Sequence, residues 1–68
     1  TYEIAPDGVR ITINWDNMHI GTSIFVPCIN TEAAIQEVMK ICTEKGWDVE
    51  SRLRIEGGCL GVRFWRKM

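Results

Sequence analysis

A two-glycine link, Gly57-Gly58, joins two stretches of alternating polar and apolar residues, and this leaves the last third of the chain few options. Glycine takes positive φ at no steric cost, and a two-residue Gly-Gly loop is a strong signature of a tight β-hairpin. Its arms are residues 47–56 and 59–67. So short a loop also sets the register. Glu56 falls opposite Cys59, Ile55 opposite Leu60, Arg54 opposite Gly61, Leu53 opposite Val62, Arg52 opposite Arg63 and Glu50 opposite Trp65. Because side chains alternate along a strand, one face carries Val49, Ser51, Leu53, Ile55, Leu60, Val62 and Phe64. The other carries Glu50, Arg52, Arg54, Arg63, Trp65 and Lys67. The first reads as a core face. The second is the surface on which a binding function is argued.

Upstream, Pro6-Asp7-Gly8 is a turn signal, and Val9, Ile11, Ile13 and Trp15 then alternate with Arg10, Thr12 and Asn14. That spacing predicts a half-buried strand over 9–15, with 1–8 as an N-terminal segment free to move. Residues 16–21 read as a loop and 22–28 as a second strand, with Pro27 at its end or on an edge because it has no N–H to donate. Asn30 is a good N-cap, and Ile29 before it is placed to staple against Ala34. A helix follows to about Lys45. Ala34, Ile35, Val38, Met39, Ile41 and Cys42 form its apolar stripe; Gln36, Glu37, Lys40, Thr43 and Glu44 form its wet face. Glu37 and Lys40 are spaced to pair weakly. Gly46 is the expected left-handed residue after the helix, and Trp47 the residue that folds back on Cys42.

The order is β-β-α-β-β, an α+β single domain over 1–68. One helix packs on one face of an antiparallel sheet of two hairpins. The expected core is Val9, Ile11, Ile13, Ile24, Val26, Ile35, Val38, Met39, Cys42, Val49, Leu53, Ile55, Leu60, Val62 and Phe64. The opposite sheet face, with no helix over it, should hold Arg10, Thr12, Asn14 and Phe25 beside the basic hairpin residues.

A 68-residue chain allows one domain and buries only about 60% of its unfolded surface, so any added contact counts. No apolar stretch approaches the about 20 residues that a membrane crossing needs, and no signal sequence opens the chain. The three cysteines, Cys28, Cys42 and Cys59, form no C-x-x-C pair, and they read as reduced, mostly buried thiols of a cytoplasmic protein. Their spacing matches no zinc module, with or without the single histidine, His19. That histidine has no evident nucleophile to serve, so no enzyme is expected, and no cofactor, metal or small-molecule substrate is implied. The helix acids do not group as a catalytic pair.

Net charge is −1, but its distribution is uneven. Residues 1–44 hold Arg10 and Lys40 against Glu3, Asp7, Asp16, Glu32, Glu37 and Glu44, a net of −4. Residues 45–68 hold six cations against Asp48, Glu50 and Glu56, a net of +3. The binding residues expected on the hairpin are therefore Arg52, Arg54, Arg63, Trp65 and Lys67. Two partner chemistries fit them. One is a protein surface, including a second copy of this chain, since tryptophan and arginine dominate such contacts. The other is RNA or DNA, with guanidiniums on phosphates and a base stacked on Trp65. A solvated face, with Trp65 sandwiched by Arg63 and Lys67, is the bland alternative.

Residues 25–29, Phe-Val-Pro-Cys-Ile, and the ending Gly61-Val62-Arg63-Phe64-Trp65-Arg66 after a Glu-Gly-Gly turn resemble short bacteriophage-encoded proteins, over roughly residues 22–67. The resemblance implies a small accessory protein of the infected bacterial cytoplasm that binds a host or viral macromolecule. It transfers no catalytic residues.

Overall fold

The computed structural model describes residues 3–68. Its main sheet has three antiparallel strands, β3 (Ser23–Pro27), β5 (Cys59–Arg66) and β4 (Val49–Glu56), in the order β3-β5-β4. A smaller ladder joins β1 (Glu3–Ile4) to β2 (Ile11–Thr12). One helix, α1 (Thr31–Lys45), covers one face of the main sheet. The α+β class and the helix between two sets of strands are as expected.

The hairpin forms in the anticipated register, from Glu56 opposite Cys59 through Arg52 opposite Arg63 to Glu50 opposite Trp65. Gly57 and Gly58 take φ of 58° and 78°, positive at both positions as in a type I′ turn, one of the two favoured two-residue hairpin loops. The helix is bounded as its sequence dictates. Asn30 Oδ1 accepts from the Ala33 N–H at 3.1 Å. At the other end Gly46 (φ 75°) allows Gly46 N–H to reach Thr43 O at 3.1 Å and Trp47 N–H to reach Cys42 O at 2.9 Å. This pair of bonds is the Schellman closure.

The expected first strand is different. Only Ile11 and Thr12 are in a ladder, and their partner is β1 rather than the 22–28 strand. Ile13 is buried, but Trp15 enters the core from a single 3-10 turn (Trp15–Asn17), and Val9 is exposed. The alternation therefore reports burial of one side of an irregular segment, not sheet pairing. Arg10, Thr12 and Asn14 do not join the open face of the main sheet; Arg10 instead pairs with Glu3 at 3.5 Å.

Of the expected N-terminal segment 1–8, residues 1–2 lie outside the described residues, and the remainder makes specific contacts with α1 and the turn before it. Ile4 and Pro6 are buried, and Ala5 N–H donates to Glu37 Oε1 at 3.2 Å. Glu37 thus turns inward from its expected wet face. Asp7 accepts from the N–H groups of Ile29 and Asn30, both at 2.8 Å. These bonds hold the Asp7 carboxyl below the usual aspartate range. Ile29 itself points to solvent, so no staple onto Ala34 forms; Asp7 fixes the entry to the helix instead.

The core joins Val26, Val49, Val62 and Phe64 from the sheet to Ala34, Val38, Ile41 and Cys42 from α1, with Ile4, Ile13, Trp15, Met18 and Cys28 closing its sides. The hairpin outruns its cover. On the helix side of β4 and β5, Val49, Val62 and Phe64 are buried, yet Leu53, Ile55 and Leu60 near the glycine turn are 60, 73 and 42% exposed. They share the expected face but not the expected burial. The far end is closed by Arg66. Its guanidinium lies 3.9 Å from the centroid of the Trp47 ring and donates to Met18 O at 2.9 Å, while the Trp15 and Trp47 rings meet at 6.3 Å. No helix among the described residues is long and apolar enough to cross a membrane.

Candidate functional site: the open sheet face

Alternation along the three strands places Ser23 and Phe25 of β3, Arg63 and Trp65 of β5, and Glu50, Arg52, Arg54 and Glu56 of β4 on the sheet face away from α1. Four of the five expected binding residues, Arg52, Arg54, Arg63 and Trp65, are brought together there. The fifth, Lys67, lies just past the end of β5 and is exposed. β5 is the middle strand, so Arg63 and Trp65 occupy the centre of the face. Phe25 falls directly opposite Arg63, and Ser23 opposite Trp65.

Arg52 and Arg63 sit directly opposite each other, an arrangement that costs energy unless the charges are compensated. They diverge toward different acids. Arg63 makes a two-pronged bond to Glu56, Nε to Oε2 at 2.7 Å and Nη2 to Oε1 at 2.6 Å, and its Nη1 donates to Ser23 Oγ at 2.7 Å. This fork-to-carboxylate geometry is the strong form of an ion pair. It draws the Glu56 carboxyl below its usual range and holds the Arg63 guanidinium more firmly protonated. Arg54 Nε also reaches Glu56 Oε2, at 3.1 Å, and Arg52 Nε reaches Glu50 Oε2 at 3.3 Å. The acid that compensates Arg63 is therefore Glu56 rather than its diagonal neighbour Glu50.

The aromatics are held by the same cations. The Arg63 guanidinium lies 5.7 Å from the Phe25 ring centroid, and that of Arg54 lies 6.0 Å from Trp65. Among the described residues, the cation over the Trp65 ring is Arg54 rather than a sandwich of Arg63 and Lys67. Phe25 in turn lies over Gly61. A Cβ built there would come within 2.7 Å of Phe25 Cζ and 2.9 Å of Pro27 Cα, and would collide with Val26 O. Glycine at 61 thus lets β3 and the Phe25 ring close down on β5.

Phe25 lies on this face as expected, and the participants missed from sequence are Glu56 and Ser23. Glu56 was legible as the residue before the turn, two from Arg54 on the same face. Ser23 was not, nor was the choice of Arg63 as the neighbour of Phe25, because both depend on β3 pairing with β5, which no local pattern encodes.

Other candidate chemistry is dispersed. Cys28 and Cys42 are buried, and burial pushes both thiols up; Lys45 and Arg66 partly oppose this at Cys42. Cys59 is exposed beside the glycine turn, the one exception to the expectation of mostly buried thiols. His19 is exposed on its loop. Among the described residues no three His, Cys, Asp or Glu side chains gather as a metal site would need. In comparisons with known proteins, no family, no curated protein and no solved structure matches this chain.

Proposed function

We propose that this chain is a small, non-enzymatic binding module whose open sheet face docks a protein partner. Trp65, Phe25 and Arg54 make the central contact, flanked by Arg52 and Lys67. The observation that carries the reading is the two-pronged Arg63–Glu56 pair with its bond to Ser23. A guanidinium whose fork is filled by a neighbouring carboxylate is not available to grip a phosphate. Over the strands of the face, three arginines meet two glutamates, so little net charge is left to drive counterion release from a nucleic acid. What remains is half-buried aromatic surface held by charged, hydrogen-bonded neighbours, the composition of a protein-contact hot spot.

Two measurements test the reading together. Labelled single- and double-stranded oligonucleotides are titrated at two salt concentrations, with no saturable binding expected. Affinity enrichment from the source cell then compares the natural chain with Trp65→Ala and Arg54→Glu as baits. A protein that binds the first, is lost with both variants and rebinds in purified form with at least tenfold weaker affinity for each variant supports the proposal. Oligonucleotide binding with a log–log salt slope of about 0.7–0.9 per phosphate, abolished by Trp65→Ala, would replace it with the RNA- or DNA-binding alternative.

A further inference from the structure

The second surface without a partner is the free edge of β4 and the apolar skin beside it. The order β3-β5-β4 leaves an eight-residue strand, with no proline, unpaired along one side among the described residues. Lys67 N–H bonds to Asp48 O at 2.7 Å, so the backbone groups of Asp48 face β5. By alternation those of Glu50, Arg52, Arg54 and Glu56 do too, while the N–H and C=O groups of Val49, Ser51, Leu53 and Ile55 point outward. Such an edge is a template for another strand. The exposed side chains of Leu53, Ile55 and Leu60 lie on the helix side of the same ribbon, where α1 does not reach.

Charge selects which strand fits. A second copy meeting β4 antiparallel about a two-fold axis through Ser51 places Glu50 opposite Arg52 of the other copy, and Arg52 opposite its Glu50. Extended by one residue, the same register sets Asp48 against Arg54, and each ion pair occurs twice. Leu53 then faces Val49 of the second copy on the helix side, and Ser51 faces its own mate. Centring the axis on Leu53 instead sets Glu50 against Glu56 and Arg52 against Arg54, all like charges. Centring it on Arg52 or Arg54 sets that arginine against itself. Of the registers that overlap five or more residues of the strand, only the one centred on Ser51 matches every charged residue with an opposite charge, at positions where directly facing pairs interact most strongly; centring on Ile55 also opposes unlike charges but overlaps three residues alone.

We propose that two copies of this chain associate through their β4 edges, antiparallel and centred on Ser51, to form one continuous six-stranded sheet with both helices on the same side. This contact runs along the β4 edge rather than over Trp65; it shares Arg52 and Arg54 with the open-face reading but does not depend on it.

The test is light scattering over a concentration series, with circular dichroism as the check on folding. The natural chain should reach twice its 7.8 kDa mass. Ser51→Pro removes an outward N–H and none of the bonds to β5, so it should stay at 7.8 kDa with an unchanged spectrum. Arg52→Glu, which sets like charges opposite one another twice, should raise the dissociation constant about tenfold, and the double exchange Glu50→Arg with Arg52→Glu should restore it. The exchange pair decides the matter even if the proline variant fails to fold. A single-chain mass at every concentration overturns the proposal. So does a dimer that the charge exchange leaves unchanged, or one dispersed by Trp65→Ala and not by the β4 variants, which would assign the contact to the open face instead.

Discussion

Single residues set the two tightest constraints in this molecule. At Gly61 the space for a side chain is taken by Val26 O, the Phe25 ring and Pro27 Cα, two of the three being backbone that cannot rotate aside. Gly61→Ala should therefore destabilise the fold by about 1–3 kcal/mol, read as a lower urea midpoint, as overpacking of a closed contact does. Gly58→Ala meets no atom but is strained by a φ of 78°, and should cost about 1 kcal/mol. The thiols divide by the same kind of local fact. Cys59 is exposed whereas Cys28 and Cys42 are buried and raised in pKa, so a thiol reagent should label one site in the native protein. Three should react in denaturant; a native protein that reacts at three sites would contradict the burial described.

At the scale of elements, the helix depends on its caps. Asn30→Ala removes the bond to Ala33 N–H and should cost about 1 kcal/mol of unfolding free energy. Asp7 holds the two N–H groups just ahead of it from 22 and 23 residues away, and its pKa is lowered in the fold by those bonds. A carboxyl depressed on folding contributes its full stability above the unfolded pKa, about 4, and loses it as the pH falls through the folded value. The gap in thermal midpoint between the natural chain and Asp7→Asn should thus be widest near neutrality, begin to narrow below about pH 4, and close only once the pH has fallen through the lowered folded pKa, where both carry an uncharged side chain. A gap that stays constant with pH would mean the carboxylate charge is not what holds the turn.

These elements differ in how far the sequence announces them. The hairpin register and both helix caps were legible, because each is decided within a few residues by the left-handed freedom of glycine or the reach of an asparagine side chain. The 9–15 strand was misread because the alternation of Val9, Ile11, Ile13 and Trp15 records one buried side, and a two-residue ladder with a 3-10 turn buries a side as well as a strand does. The candidate site was half legible for a related reason. Arg52, Arg54, Arg63 and Trp65 share a face by parity alone, but Ser23 and Phe25 reach them only through a pairing that spans about half the chain. The exposure of Leu53, Ile55 and Leu60 was equally hidden, since alternation assigns a side to a residue and says nothing of how far the opposing helix extends.

For the whole molecule, the decisive feature is that β5 is the middle strand. Phe64, fully buried on it, meets the helix and the sheet together. Phe64→Ala should cost about 3–5 kcal/mol, which approaches the entire stability of a domain this small, and circular dichroism should find the variant largely unfolded at room temperature. The position of β5 also has a temporal meaning. On a ribosome, the main-sheet strands that precede β5 emerge with nothing to zip against: β3 and β4 are not neighbours, and each waits for the same latecomer. Until residues 59–66 clear the exit, the nascent chain has its helix but no three-stranded sheet, so assembly of the sheet is set by the arrival of β5 and not by the order in which its other parts are made.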